Sequence, residues 1–260
     1  MILGLLQARM ASSRLPGKIL MPILGKPMLL HQIERLSKVT LMDKLIVATS
    51  DESSDDAAAE MCQQYGIDCF RGSHHDVLDR FYQAAKSFSP QHIVRLTGDC
   101  PLADAKIIDA VIQFHVEGNY DYSSNALKST FPDGLDVEVV RFSCLEEAWL
   151  KATLPSHREH VMPYVHRQPD KFKLGSFESK EDFSSHRWTV DELKDFELVS
   201  KIYEGLYSAN PQFDYADILE LLGKNPELIK INAHYERNEG MKKSLREDAE
   251  YMERYQNNVG

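Results

Sequence analysis

The sequence predicts an α/β protein: a single three-layer domain with helices on both faces of a mostly parallel, Rossmann-like sheet. Three observations carry this expectation. Short apolar runs alternate with helical stretches through the first half of the chain. The runs are apolar on consecutive residues, as strands buried on both faces are. The first run ends abruptly in a cationic, hydroxyl-rich loop, and folds of this class place such loops at the carboxyl edge of the sheet.

The elements follow in order. Ile2–Gln7 reads as a buried strand and Pro27–Val39 as a helix, with Leu29, Leu30, Ile33 and Leu36 on one face. Lys44–Thr49 is a strand. The acids from Ser53 to Asp56 open the next helix, where carboxylates favour an N-terminus. Ile67–Phe70 is a short strand, Asp76–Phe88 a helix, His92–Leu96 a strand and Asp104–Val116 a helix. The second half is less regular. Val137–Val140 reads as a strand, Ser143–Lys151 as a helix, and His157–Arg167 as a helix weakened by Pro163. Leu174–Glu181 reads as an extended excursion. Leu193–Tyr207 and Tyr215–Leu222 read as amphipathic helices, and Met241–Tyr255 as a helix of mixed charge. Residues 1–260 form one domain, with a protruding segment over 142–186 and a charged C-terminal extension over 225–260.

Composition narrows the function. A chain of 260 residues, 43% hydrophobic, can bury a sizeable core. A formal net charge of −10 argues against a nucleic-acid binder, which needs a basic face. The cationic loop is therefore local, and suits capture of a small anion. Cys62, Cys69, Cys100 and Cys144 show no zinc spacing and read as scattered thiols in a reducing compartment. The N-terminal apolar run is too short for a signal peptide, and no run approaches the ~20 residues that span a bilayer. The expectation is a cytoplasmic protein with no membrane or nucleic-acid partner.

The loop carries Arg9, Ser12, Ser13, Arg14 and Lys18 around a Pro16-Gly17 turn. Its three cations can offset most of the charge of a nucleoside triphosphate, and arginine adds bidentate geometry to phosphate oxygens. It is neither a GxxxxGK[ST] loop nor a GxGxxG fingerprint. Taken alone, it also reads as a basic surface loop with solvated side chains. RLTGDCPL places Asp99 at the carboxyl end of a strand, as a magnesium ligand or a turn carboxylate bonded to its own backbone. In RWTVDELKD, Trp188–Val190 is strand-like. Asp191 there reads as a helix cap or a second metal ligand, and Asp195 as a first-turn helix acid and weaker ligand candidate. His74 and His75 are neighbours expected to point apart, with no third ligand spaced to help.

QARMASSRLPGK resembles the N-terminal signature of the sugar cytidylyltransferases. These include the acylneuraminate and 3-deoxy-manno-octulosonate cytidylyltransferases and, nearest in pattern, the group around spore coat polysaccharide protein SpsF. The similarity extends to TGDCPL, FRGSHHDVLDR, FPDGLDVE, SHREHVMPY and RWTVD, and so covers most of the chain. The resemblance implies transfer of a cytidylyl group from CTP to a sugar or sugar acid, with Mg2+ as cofactor and pyrophosphate as co-product. It implies catalytic roles for Arg9, Lys18 and Asp99. Nucleotide binding would fall to Arg9, Ser12, Ser13, Arg14, Lys18, Arg71, Asp79 and Arg80. Asp99 and Asp191 would hold the metal, and Asp133, Asp136, Arg158 and His160 the sugar. It further implies a homodimer paired through the 142–186 segment. A nucleotide-sugar-dependent glycosyltransferase and a non-catalytic nucleotide-binding subunit remain the alternative classes. The first normally shows a DxD pair, which DVE is not, and leaves RxxSSRLPGK unexplained.

Overall fold

The computed structural model describes residues 1–235, 237, 244, 246 and 248–253. Its main sheet has seven strands in the order β5-β4-β1-β6-β8-β7-β9. These are β1 (Ile2–Gln7), β4 (Lys44–Ser50), β5 (Cys69–Gly72), β6 (His92–Thr97), β7 (Tyr122–Ser124), β8 (Glu138–Arg141) and β9 (Leu174–Ser176). A small antiparallel hairpin, β2 (Pro22–Ile23) with β3 (Lys26–Pro27), completes the set. β1 lies between β4 and β6, parallel to both, and β8 is antiparallel to both β6 and β7.

Side-chain alternation divides the interior in two. Leu6, Val94, Leu96 and Val139 face one layer, filled by α1 (Met28–Leu36), α2 (Asp56–Gln64), α4 (Ala105–Glu117), α8 (Leu193–Leu206) and α9 (Tyr215–Lys224). Leu3, Leu5, Ile93 and Val140 face the other. That layer is filled by α3 (Val77–Lys86), α5 (Phe142–Lys151) and the region of α6 (Pro155–His160) and α7 (Pro163–His166). The expected three-layer α/β domain is thus present, with helices on both faces.

Several local expectations change. The helix expected over 157–167 is broken. Val161 turns to φ 70° between α6 and α7, and Pro163 begins the second helix because it cannot continue the first. The excursion expected from Leu174 begins instead as a sheet strand, β9 paired parallel with β7. Trp188–Val190 is extended but joins no sheet. Its backbone is tied to loop carbonyls, Trp188 N to Asp133 O (2.6 Å) and Val190 N to Asp99 O (2.8 Å). Within 142–186, residues up to about 176 pack onto the domain rather than standing clear of it. Leu145, Ala148, Val161, Val165 and Phe172 are buried in the second core layer, and Trp149 stacks on Tyr82 at 4.0 Å. The expected helix over 241–255 lies partly outside the described residues; Ser244, Arg246 and 248–253 are helical.

Candidate active site

A cleft of about 890 Å³ opens at the carboxyl ends of β1 and β6. Its floor is set where these parallel strands finish together, with Gly98 N donating to Gln7 O at 2.7 Å. The loop after β1 folds over this edge. Met10 is the anchor: its N donates to the Asp55 carboxylate (2.6 Å), and its O accepts from Ser12 N and Gly17 N (3.0 and 2.9 Å). Asp55 is fully buried and also holds Ser50 N (3.1 Å). Burial raises its carboxyl, but bonds from Ser50 and Met10 outweigh this and leave it below the usual range. Gly17 adopts φ 72°, a left-handed turn that sends Lys18 inward to start a 3-10 turn, Lys18–Leu20.

Lys18 is only 7% exposed. Its Nζ donates to Val190 O (2.7 Å), Asp191 Oδ1 (2.9 Å) and Asp99 Oδ2 (3.3 Å). Burial disfavours its charge, but Asp99 and then Asp191 reverse the balance and hold it protonated above its ordinary value. The same pairing lowers Asp99 against the upward push of its own burial. Arg14 reaches Asp191 Oδ2 at 2.9 Å, and Arg9 reaches Glu159 at 3.0 Å. The three cations of the loop, with Ser12 and Ser13, all line the cleft.

Asp99 and Asp191 come from separate segments yet converge on one ammonium, so this oxygen set already accepts a cation. Carboxylates and a backbone carbonyl are the donors that magnesium takes. Among the described residues, no group of three or more His, Cys, Asp or Glu could hold a metal. A metal here would draw its remaining ligands from water and phosphate.

Arg187 joins the two halves of the site. Its guanidinium grips Asp195 through two bonds of 3.0 Å each and also reaches Asp133 (3.0 Å) and Asp191 (3.2 Å). Gly134, at φ 105°, lets the turn lie against 188–189; a Cβ there would meet Thr189 N at 2.4 Å. Asp136 is paired with Arg237. Burial still pushes its carboxyl up to about 7, against the pull of that arginine and with a further rise from Asp133. Arg95 and Glu138 face each other in register across β6 and β8 and form an ion pair.

The other residues expected at the site divide. Asp133, Asp136, Arg158 and His160 line the cleft. Arg158 is bound to Asp76 (Nε 2.8 Å) and to Trp149 O (2.8 Å), and His160 meets Ser244 Oγ at 2.8 Å. Arg71 does not line the cleft. It braces the β4–α2 turn through Ser50 O (3.0 Å), Glu52 O (2.9 Å) and Asp56 (2.7 Å). Asp79 is also displaced, accepting from Trp149 Nε1 at 2.8 Å and so tying α3 to α5. Arg80 is fully buried beside the cleft rather than lining it. Its NH1 donates to Ser73 O, while Nε and NH2 have no hydrogen-bond partner among the described residues; burial, then Arg9, lowers it to about 10. Asp195 is the fully buried member of a capping box on α8. The rings of His74 and His75 meet edge to face at 5.0 Å instead of pointing apart. Sequence reasoning missed Arg187, Arg95, Glu138 and Glu159, which also line the cleft. Each stands inside a motif quoted above, Arg95 in RLTGDCPL, Glu138 in FPDGLDVE, Glu159 in SHREHVMPY and Arg187 in RWTVD, and that is the available signal.

This geometry concentrates cations beside two convergent carboxylates, an arrangement that can hold a polyphosphate together with a cation. Comparison with known proteins agrees. The family model described as Cytidylyltransferase matches residues 3–248. The chain is 33% identical to the spore coat polysaccharide biosynthesis protein SpsF of Bacillus subtilis, over 87% of this chain and 95% of that protein. It is 35% identical to the mitochondrial 3-deoxy-manno-octulosonate cytidylyltransferase of Arabidopsis thaliana, over 54% of this chain and 49% of that one. A solved cytidylyltransferase from Leptospira borgpetersenii superposes with a TM-score of 0.83 at 36% identity, covering 88% of this chain and 96% of the other. The chain belongs to the cytidylyltransferase family and is a nucleotidyltransferase.

Proposed function

We propose that the chain transfers the cytidylyl group of CTP to a sugar or sugar acid, releasing pyrophosphate, and thereby supplies a CMP-sugar for surface polysaccharide or glycan synthesis. The observation that carries this reading is the meeting of Arg9, Arg14 and Lys18 with Asp99 and Asp191 over the ends of β1 and β6. The names of the relatives, one a polysaccharide biosynthesis protein and one a sugar-acid cytidylyltransferase, support it.

A sugar hydroxyl oxygen attacks the α-phosphorus and the bond to the bridging oxygen of the β-phosphate breaks. Pyrophosphate leaves and the hydroxyl proton passes to solvent or a cleft carboxylate. Such a displacement needs positioning and charge neutralisation more than covalent help from the protein. Arg9, Arg14 and Lys18 bind the phosphates and offset the charge gathering on the leaving group. Asp99 and Asp191 hold Mg2+, which when bound polarises phosphate oxygens. Asp133, Asp136, Arg158 and His160 line the half of the cleft assigned to the sugar, and orient its hydroxyls.

The test is pyrophosphate release across four nucleoside triphosphates and a panel of sugars and sugar acids, with magnesium. CTP-dependent release with at least one acceptor is expected. Release that follows another base, or thermal protection by nucleotide-sugars but not by CTP, overturns the reading.

A further inference from the structure

The cation seat between Asp99 and Asp191 is filled by the chain's own Lys18. We infer that Lys18 is the resident cation of this seat in the free protein, and that a divalent metal enters only together with a nucleoside triphosphate, whose phosphates take the ammonium in exchange. This rests on the cytidylyltransferase reading above and adds an order of binding to it.

Three oxygens surround Nζ: Val190 O at 2.7 Å, Asp191 Oδ1 at 2.9 Å and Asp99 Oδ2 at 3.3 Å. The seat is rigid. Val190 N donates to Asp99 O (2.8 Å), which locks the two acid-bearing segments together, and Ile19 beside the lysine is buried. Asp191 is also neutralised from outside, since it accepts from Arg14 (2.9 Å) and Arg187 (3.2 Å) as well. A metal arriving alone would have to expel a buried ammonium while the other cleft carboxylates, Asp133, Asp136, Glu138 and Glu159, are already paired with arginines. An ammonium and a divalent ion sharing the seat would repel strongly at such short range. It would also find two carboxylates and no third acid, among the described residues, to complete its shell.

A triphosphate removes each obstacle. Its oxygens complete the metal shell, and its charge accepts the ammonium released from the carboxylates. Arg14 and Arg9 exchange partners in the same sense, from Asp191 and Glu159 to phosphate. Metal and nucleotide then raise each other's affinity by one common factor, as linkage requires.

Binding of Mn2+ alone, followed by water-proton relaxation enhancement on the full chain, tests this without turnover. Wild-type protein should bind Mn2+ weakly, and addition of CTP should bring in a strongly enhanced protein-bound complex. Lys18→Met empties the seat and should bind Mn2+ without nucleotide about tenfold or more tightly than wild type, so that CTP raises its Mn2+ affinity by a smaller factor than in wild type. Adding Asp99→Asn to Lys18→Met should abolish that gain. Equal Mn2+ affinity in wild type and Lys18→Met overturns the seat while leaving the metal site intact. No enhancement in any protein, with or without CTP, overturns the seat and the metal reading together. The wild-type comparison with and without CTP decides the order of binding even if the variant does not fold.

Discussion

Replacing Arg187 by methionine removes the guanidinium and keeps most of the apolar stem, at the point where three carboxylates meet. Arg187 has an 8% exposed side chain and Asp195 is fully buried, with two bonds of 3.0 Å between them. Breaking a buried pair from one side costs about 3–5 kcal/mol, because the remaining charge stays desolvated. Asp195 keeps bonds from Asn232 Nδ2 (2.8 Å), Asp191 N and Glu192 N (3.0 Å each), which places the loss near the low end, about 3 kcal/mol. At roughly 2 °C per kcal/mol for a chain of this size, the melting temperature should fall by about 6 °C. The sign of the pH dependence is fixed by Asp195. Burial raises its carboxyl, but Arg187 and Asn232 more than offset this, so the folded value is depressed. Its contribution is present above the ordinary carboxylate range and is lost as pH falls through the depressed folded value. In Arg187→Met the burial penalty stands unopposed by that arginine, so the variant gains from protonation. The gap between the two melting curves should be widest near pH 7 and should close towards pH 4 and below. Thermal melts followed by circular dichroism across that range decide the matter. A loss under about 2 °C at neutral pH, or a gap that does not narrow in acid, refutes the argument that Arg187 stabilises the fold through Asp195.

Other perturbations separate the roles proposed for the cleft. Lys18→Ala should weaken CTP binding by about tenfold or more in calorimetry, and unaltered affinity would remove it from the phosphate site. Asp99→Asn should collapse turnover while CTP still binds, and full activity in excess EDTA would remove the metal from the mechanism. Asp79→Asn should leave the KM for CTP unchanged and lower the melting temperature slightly, because its carboxylate faces Trp149 and not the cleft; a raised KM would return it to the nucleotide site. Asp136 has its folded value raised to about 7, so it holds a proton that the unfolded chain has already released; stability should fall as pH rises from about 4 towards 7. Melting of Asp136→Asn should lack that part of the decline, and identical pH profiles would refute the assignment. Light scattering at micromolar concentration should give a dimer mass; a monomer mass would refute the proposed pairing.

What the sequence conveyed depended on how local the signal was. The strands flanking β1 and the helices after them are legible because burial on both faces, helical periodicity and acidic helix starts are short-range patterns. The cradle loop is legible for the same reason: Arg9, Arg14 and Lys18 lie within one turn-rich stretch. Arg71, Asp79 and Arg80 were placed at the nucleotide by resemblance, and their partners lie elsewhere: Asp56 and Glu52 for Arg71, Trp149 for Asp79. β7 and β9 carry three residues each, too few for a period to show. Trp188–Val190 looked like a strand because it is apolar and extended. It is buried against the 133–136 turn instead, and that contact crosses more than fifty residues. Asp55 works through Met10, 45 residues away, which no spacing reveals; Arg187 has Asp191 and Asp195 close by in sequence, but its Asp133 partner lies 54 residues away.

The cleft that opens after the first strand is closed by the last described part of the chain. Asp248 holds Ser156 N at 2.8 Å, Ser244 meets His160 at 2.8 Å, and Arg237 pairs with Asp136. These contacts span 92, 84 and 101 residues. None of these contacts can form until these late residues of the chain have been made, whatever the state of the β1–β6 edge. A nascent chain that has built β1, β4 and β6 can already anchor the loop after β1 through Met10 and Asp55, while Lys18 still lacks Asp191 and the half of the cleft proposed for the sugar lacks these late partners. On the proposed function, competence for the whole reaction therefore arrives only after Arg237, Ser244 and Asp248 have been made and have met their partners.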